Sequence, residues 1–209
     1  MMKLTKYGHA CFTVTKDDVT LVVDPGNWST DTPNLSNVVA VVITHEHADH
    51  FDHEQLQKIA TNCPNATVFA HESITSAITE LPTHSVAVGD TVTVGPFTLS
   101  FYGGTHATIY ADYPQTANLG VMVNDTLYYP GDSFAAPDKP VQVLALPASA
   151  PWMRISESMD FCKAIDASVL VFPTHDAILS DVGKSLADKL LGGVSSHYKR
   201  LIEPIEIDG

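Results

Sequence analysis

Residues 44–50 read Thr44-His45-Glu46-His47-Ala48-Asp49-His50. Four of these side chains can give a lone pair to a metal ion: His45, His47, Asp49 and His50. Imidazole and carboxylate suit zinc, and they also hold manganese or iron. One histidine in a polar loop would carry little information. Three with an aspartate, directly after an apolar run, concentrate ligands beyond anything a solvated loop needs. Four donors this close are hard to arrange around one tetrahedral ion. If the chain turns into a helix near His50, then His45 and His47 point one way and Asp49 and His50 another. Each pair can then begin its own metal site. Two adjacent cations lower the pKa of a shared water and stabilise charge on a substrate oxygen, which is the chemistry of hydrolysis.

Each ion needs further ligands from distant segments, and three candidates share one context. His106 follows Gly103-Gly104-Thr105 after the apolar stretch 97–101, and Asp132 follows Tyr129-Pro130-Gly131 after 126–129. His175 follows Phe172-Pro173-Thr174 after 168–172. Taken singly, each reads equally well as a capping aspartate or a half-buried histidine. Together with residues 45–50 they complete a ligand set for two divalent metal ions, zinc first, with manganese or iron as alternatives. Asp49 and Asp132 are the candidate catalytic carboxylates.

The elements that must position these groups follow from the pattern. Residues 3–7, 11–15 and 19–23 read as strands, with a hairpin turn at Lys16-Asp17-Asp18. Asp24-Pro25-Gly26 breaks the pattern and 27–37 is a polar loop. Residues 38–43 are continuously apolar, as in a strand buried on both faces. Residues 51–60 are expected to be helical, 66–70 a strand and 71–80 a short helix. Hairpins are expected over 91–94 with 97–101 and over 118–123 with 126–129. A buried strand over 141–146, a helix over 155–165 with Ser156 as N-cap, and a strand over 168–172 follow. Residues 180–191 form a helix ended by Gly192-Gly193, and 199–207 supplies an edge strand. The order repeats: antiparallel strands, then alternating strand and helix. Two mixed sheets packed together with helices on both outer faces, an αββα sandwich, suit it.

The 209 residues fit a single domain over 1–209, and 44% apolar content can build a full core. Formal net charge is −13, and Arg154 and Arg200 are the only arginines. With no basic run, nucleic-acid binding is not expected. An acidic surface is repelled by anionic membranes. The longest apolar run is far too short to cross a bilayer. The three cysteines, Cys11, Cys63 and Cys162, form no CxxC pair and read as free, buried thiols. With no leader visible at residue 1, a cytoplasmic location is expected. The partner is a small-molecule substrate; the sequence does not indicate an oligomeric state.

The run His45-x-His47-x-Asp49-His50 resembles the HxHxDH signature of the metallo-β-lactamase superfamily at every position, and the resemblance extends from about Gly8 to His175. It implies the αββα fold and a ligand assignment. His45, His47 and His106 would hold one metal, Asp49, His50 and His175 the other, and Asp132 would bridge them. Residues 7–12, 23–26 and 147–152 are similar to the branch of small metal-dependent hydrolases related to ascorbate-6-phosphate lactonase. On that likeness His9 and Asp24 are candidates for the rim or for a supporting shell of hydrogen bonds. A strand-end histidine and a turn aspartate would read the same. Position 132 is Asp where classical zinc β-lactamases carry Cys, which argues against antibiotic hydrolysis. Position 47 is His where flavodiiron reductases carry Glu, which disfavours redox chemistry. No insertion is long enough for the RNA-gripping arm of ribonuclease Z.

The expected function is metal-dependent hydrolysis of a small ester, lactone or phosphodiester; a catalytically weak metal-binding sensor or interaction module is the alternative. The loop 147–154 is expected to wall the pocket. Trp152 would cover a ring or apolar group, or pack into the core. Arg154 would clamp a substrate anion, or face solvent ahead of the helix.

Overall fold

The structure, a computed structural model, describes residues 1–29 and 35–208. Part of the polar loop expected over 27–37, residues 30–34, therefore lies outside the described residues. The chain opens with β1 (Met2–Lys6), β2 (Phe12–Lys16) and β3 (Val19–Val23), paired antiparallel. Asp17 and Asp18 make the β2–β3 turn, both at positive φ. Such a turn matches the right-handed twist of its strands. β4 (Val38–Val42), α1 (His53–Asn62), β5 (Thr67–Ala70), α2 (Glu72–Thr75) and β6 (Thr83–Ser85) follow, and the three strands add in parallel beyond β3.

The plan then repeats. β7 (Thr91–Val94), β8 (Phe97–Thr105), β9 (Ala117–Val123) and β10 (Leu127–Tyr129) pair antiparallel. β11 (Val143–Pro147), α3 (Ile155–Ile165) and β12 (Leu170–Thr174) extend that sheet in parallel. α4 (Asp181–Gly192) follows, and β13 (Ile205–Ile207) returns to the first sheet beside β1.

Side-chain alternation assembles the layers. In β3 and β4, Leu21, Val23, Ala40 and Val42 face the second sheet, where they meet Phe101, Val121, Tyr129 and Phe172. Their neighbours Val22, Val41 and Ile43 face outward onto Leu56 and Ile59 of α1. On the far side, Leu144, Leu146 and Val171 pack against Phe161 of α3 and Leu191 of α4. Strands β4 and β11 are covered on both faces, which is why they are apolar throughout. This is the αββα sandwich expected from the order of elements. Cys11, Cys63 and Cys162 are buried and unpaired. Among the described residues no helix is long and apolar enough to cross a membrane.

Local departures have physical causes. β8 runs on through Gly103 and Gly104, which pair with Leu119 and Asn118, so His106 follows a strand directly and not a turn. α2 is four residues long, well short of 71–80. The cap of α3 is Arg154 and not Ser156: the Glu157 carboxylate accepts the Arg154 backbone N–H at 2.6 Å. Only Ile205–Ile207 of the expected tail strand pairs with β1.

Candidate metal centre

Every candidate ligand lies just beyond a strand end. After β4 the chain crosses residues 44–50 and turns back before α1. His50 and Phe51 donate their backbone N–H groups to the His47 carbonyl, and Asp52 caps the helix. This turn splits the potential ligands into two groups: His45, His47, His106 and Asp132; and His9, Asp49, His50 and His175. Within each, the donor atoms all lie within 4.8 Å of one another. The backbone around them is tightly fitted. A Cβ on Gly26 would overlap the Asp49 carbonyl, and one on Gly131 would overlap the side chain of Asn118. Gly131 also has a φ of +64°, which favours glycine. Asp24 and His175 are at positive φ without being glycine, a conformation that the surrounding contacts must hold.

Hydrogen bonding assigns the imidazole tautomers. A carbonyl or carboxylate can only accept, so a ring nitrogen facing one carries the proton. His106 Nδ1 faces the Ala107 carbonyl at 2.5 Å and His175 Nδ1 the Ser149 carbonyl at 2.6 Å. His50 Nδ1 faces Asp24 Oδ2 at 2.7 Å. Thr44 donates its hydroxyl to Asp24 Oδ2 at 2.7 Å, which leaves that hydroxyl to accept from His45 Nδ1 at 3.1 Å. All four rings therefore turn Nε2 inward, the arrangement by which a supporting carboxylate or carbonyl orients a metal-ligating histidine. Nε2 of His45, His50 and His106, and Oδ1 of Asp132, are buried with no hydrogen-bond partner. Orphaned buried polar atoms are costly. Convergent imidazoles beside two carboxylates are the donor set a zinc-like cation satisfies, so these residues fit such an ion.

His9 is the reverse case. Its ring is fully buried, and its Nδ1 accepts the Ala177 backbone N–H at 3.2 Å. The proton of the neutral ring is thus on Nε2, which donates to Asp49 Oδ2 at 3.0 Å. Proximity alone places His9 among the potential ligands; its tautomer makes it a support for one.

Asp132 faces both groups. Its oxygens lie 3.3 Å from His50 Nε2, 3.3 Å from His106 Nε2 and 3.0 Å from His175 Nε2. Asn118 fixes its approach by accepting the Asp132 backbone N–H and donating to the Pro130 carbonyl, both at 2.9 Å. Trp152 donates its indole N–H to Asp132 Oδ2 at 2.8 Å.

The electrostatics follow. Burial, with His50 beside it, pushes His45 well below its usual pKa, and burial also lowers His47. Burial alone would lower His175 too, but hydrogen bonds to Asp132 and Asp49 outweigh it and raise the ring to about 10. Burial would raise both carboxylates. Hydrogen bonds from His175 and His9 instead hold Asp49 well below the ordinary range, and His50 does so for Asp132 together with His106 and His175.

The ligands open on a cavity of about 160 Å³, whose remaining walls are Trp28, Ile109, Pro151, Trp152 and Ile178. The structure thus brings together His45, His47, Asp49, His50, His106, Asp132 and His175, with His9, Asp24 and Trp152 against them. Arg154 is not among them: its side chain is exposed at the start of α3 and does not line the cavity. Sequence reasoning did not single out Thr44, Asn118, Trp28, Ile109 or Ile178. An asparagine inside an apolar strand and a tryptophan in a polar loop were the available signals for two of them.

Comparison with known proteins places the chain in a family. A family model described as the beta-lactamase superfamily domain matches residues 3–175, a span that holds all the candidate ligands. Protein Rv0786c of Mycobacterium tuberculosis is 35% identical, over 99% of this chain and 94% of its own. The UPF0173 metal-dependent hydrolase MJ1163 of Methanocaldococcus jannaschii is 26% identical, over 98% of this chain and all of its own. Among solved structures, Igni18, a metallo hydrolase of Ignicoccus hospitalis, superposes with a TM-score of 0.76 at 21% identity, covering 99% of each chain. At that identity the likeness is one of fold.

Proposed function

The chain belongs to the β-lactamase superfamily and is a metal-dependent hydrolase of that fold, and we propose that it works with two divalent metal ions to cleave a small ester, lactone or phosphodiester. The observation that carries this reading is the set of inward-facing, unpartnered Nε2 atoms of His45, His50 and His106 around the Asp132 carboxylate, whose Oδ1 is likewise unpartnered. His45, His47 and His106 would hold one ion, Asp49, His50 and His175 the other, and Asp132 would serve both. When bound, the ions supply the Lewis acidity that activates water near neutral pH and offsets charge developing on the substrate oxygen. Zinc suits this donor set, and manganese or iron would also be accepted.

The protein's own contributions are positional. Asp24, behind the ligands, orients His50 directly and His45 through Thr44. His9 fixes Asp49, whose carboxylate stays ionised; Asp49 would orient the attacking water or accept its proton. Trp152 and Asn118 fix Asp132. The resemblance read in residues 7–12 and 23–26 to relatives of ascorbate-6-phosphate lactonase is the reason lactones are included among the candidate substrates.

The test is a panel of chromogenic esters, lactones and phosphodiesters on zinc-loaded protein, with Asp49→Asn and chelated protein as controls. Turnover lost in both controls is expected. Retained metal with no turnover on any compound would instead favour the sensor or interaction module.

A further inference from the structure

We propose that the cavity in front of the metal ligands receives a small, uncharged, apolar group, so that the substrate is a neutral ester or lactone and not a phosphorylated or carboxylated one. The inference rests on the hydrolase reading above and narrows it.

The walls carry the argument. A cavity of about 160 Å³ accommodates a group about the size of benzene. Apart from the metal ligands it is bounded by two tryptophans, two isoleucines and a proline. Among the described residues no Lys or Arg lines it, and residues 30–34 and 209 contain none. Lys6 and Arg200 are committed elsewhere. Lys6 donates to the Gly8 and His9 carbonyls and pairs with Asp176. Arg200 holds Asp188 with two nitrogens and Asp176 with a third. With Lys184, Lys6 and Arg200 line a distinct, larger cavity that shares the Trp28 wall with this one. Metal ions would take the scissile group. A second anionic group on the substrate would lose its water against apolar walls and gain no donor, which is unfavourable. Of the two positions the sequence allowed Arg154, anion clamp or solvent-facing, the structure shows the second, and the chain's charge of −13 adds no attraction for an anion.

Of the chain's two tryptophans, Trp152 lines this cavity alone and Trp28 lines both, so intrinsic fluorescence reports occupancy independently of turnover, and quenching that persists in Trp28→Phe belongs to this cavity. The probes are 4-nitrophenyl butyl ether, which is inert to hydrolysis and quenches tryptophan, and its 3-carboxylate analogue, each titrated into zinc-loaded protein. The neutral ether is expected to bind at least about tenfold more tightly. Ile178 is 46% exposed at the rim, so Ile178→Lys should fold normally and shift the preference towards the carboxylate by about tenfold or more. Equal or tighter binding of the carboxylate by the unaltered protein, or no quenching by either probe, would overturn the proposal. The matching butyrate esters separate this from the hydrolase reading. Neutral ether bound with no ester cleaved would leave the cavity assignment standing and count against hydrolysis.

Discussion

Trp152 donates its indole N–H to Asp132 Oδ2 across 2.8 Å, joining the cavity wall to the carboxylate that faces both ligand groups. Trp152→Phe keeps the apolar wall and removes the donor. Groups that orient a ligand from behind typically contribute 10–100-fold in metal affinity. Zinc affinity, measured by competition with a chromogenic chelator, should fall about tenfold while the thermal midpoint hardly moves. Unchanged affinity would show that the bond does not position Asp132.

His9 should support Asp49 by donation and not bind metal itself. Long-range ¹H–¹⁵N correlation spectra of zinc-loaded protein should show the proton on Nε2 of His9 and on Nδ1 of His45, His50, His106 and His175. Glutamine can place an amide N–H near the Nε2 position, so His9→Gln should keep zinc affinity within about threefold. His9→Ala should lose about tenfold or more. Equal losses in the two variants would contradict the donor role.

The pH dependence of metal-depleted protein follows from His175, raised to about 10 by Asp132 and Asp49 against an unfolded value near 6.5. A raised folded pKa stabilises most where the ring is charged in both states, below about 6.5, and the contribution is lost as pH rises towards 10. Asp49 and Asp132, held low, act oppositely: their contribution is present at neutral pH and is lost in acid. The midpoint of depleted protein should therefore fall between pH 6.5 and 9.5, and less so in His175→Gln. Loading zinc at pH 7 should release protons, detectable as a buffer-dependent heat of binding. Equal slopes in the two proteins would remove His175 from this account.

Much of the candidate site was legible because its potential ligands are contiguous or stand at strand ends. Residues 45–50 declare themselves by density, and β4 by an apolar run too regular for a surface strand. Most of what escaped depends on contacts distant in sequence. Gly103 and Gly104 look like a turn, yet pairing with Asn118 and Leu119 draws them into β8. Ser156 has the side chain an N-cap prefers, but Glu157 takes the Arg154 N–H two residues earlier. Asn118 reads as a weak strand residue until its amide is seen bridging Pro130 and Asp132. Arg154 stands near the pocket in sequence, and the start of α3 leaves it exposed.

Asp24 carries a structural load that can be weighed separately. Fully buried, it accepts the Thr44 backbone N–H at 2.8 Å, the Thr44 hydroxyl and His50 Nδ1. Asp24→Ala strands three donors and places alanine at a φ of 45°. Each buried unsatisfied group costs about 1–3 kcal/mol, so a loss of at least about 3 kcal/mol is expected in urea unfolding of metal-depleted protein. A loss below about 1 kcal/mol would mean that water replaces the carboxylate.

The claim that two ions share Asp132 is tested most directly by elemental analysis of zinc-reconstituted protein beside its Asp132→Ala variant, each after exhaustive dialysis. Two zinc ions per chain are expected in the first, with both weakened in the second, because the carboxylate lies against histidines of both groups. One tightly held ion in the unaltered protein, retained undiminished in Asp132→Ala, would contradict the account.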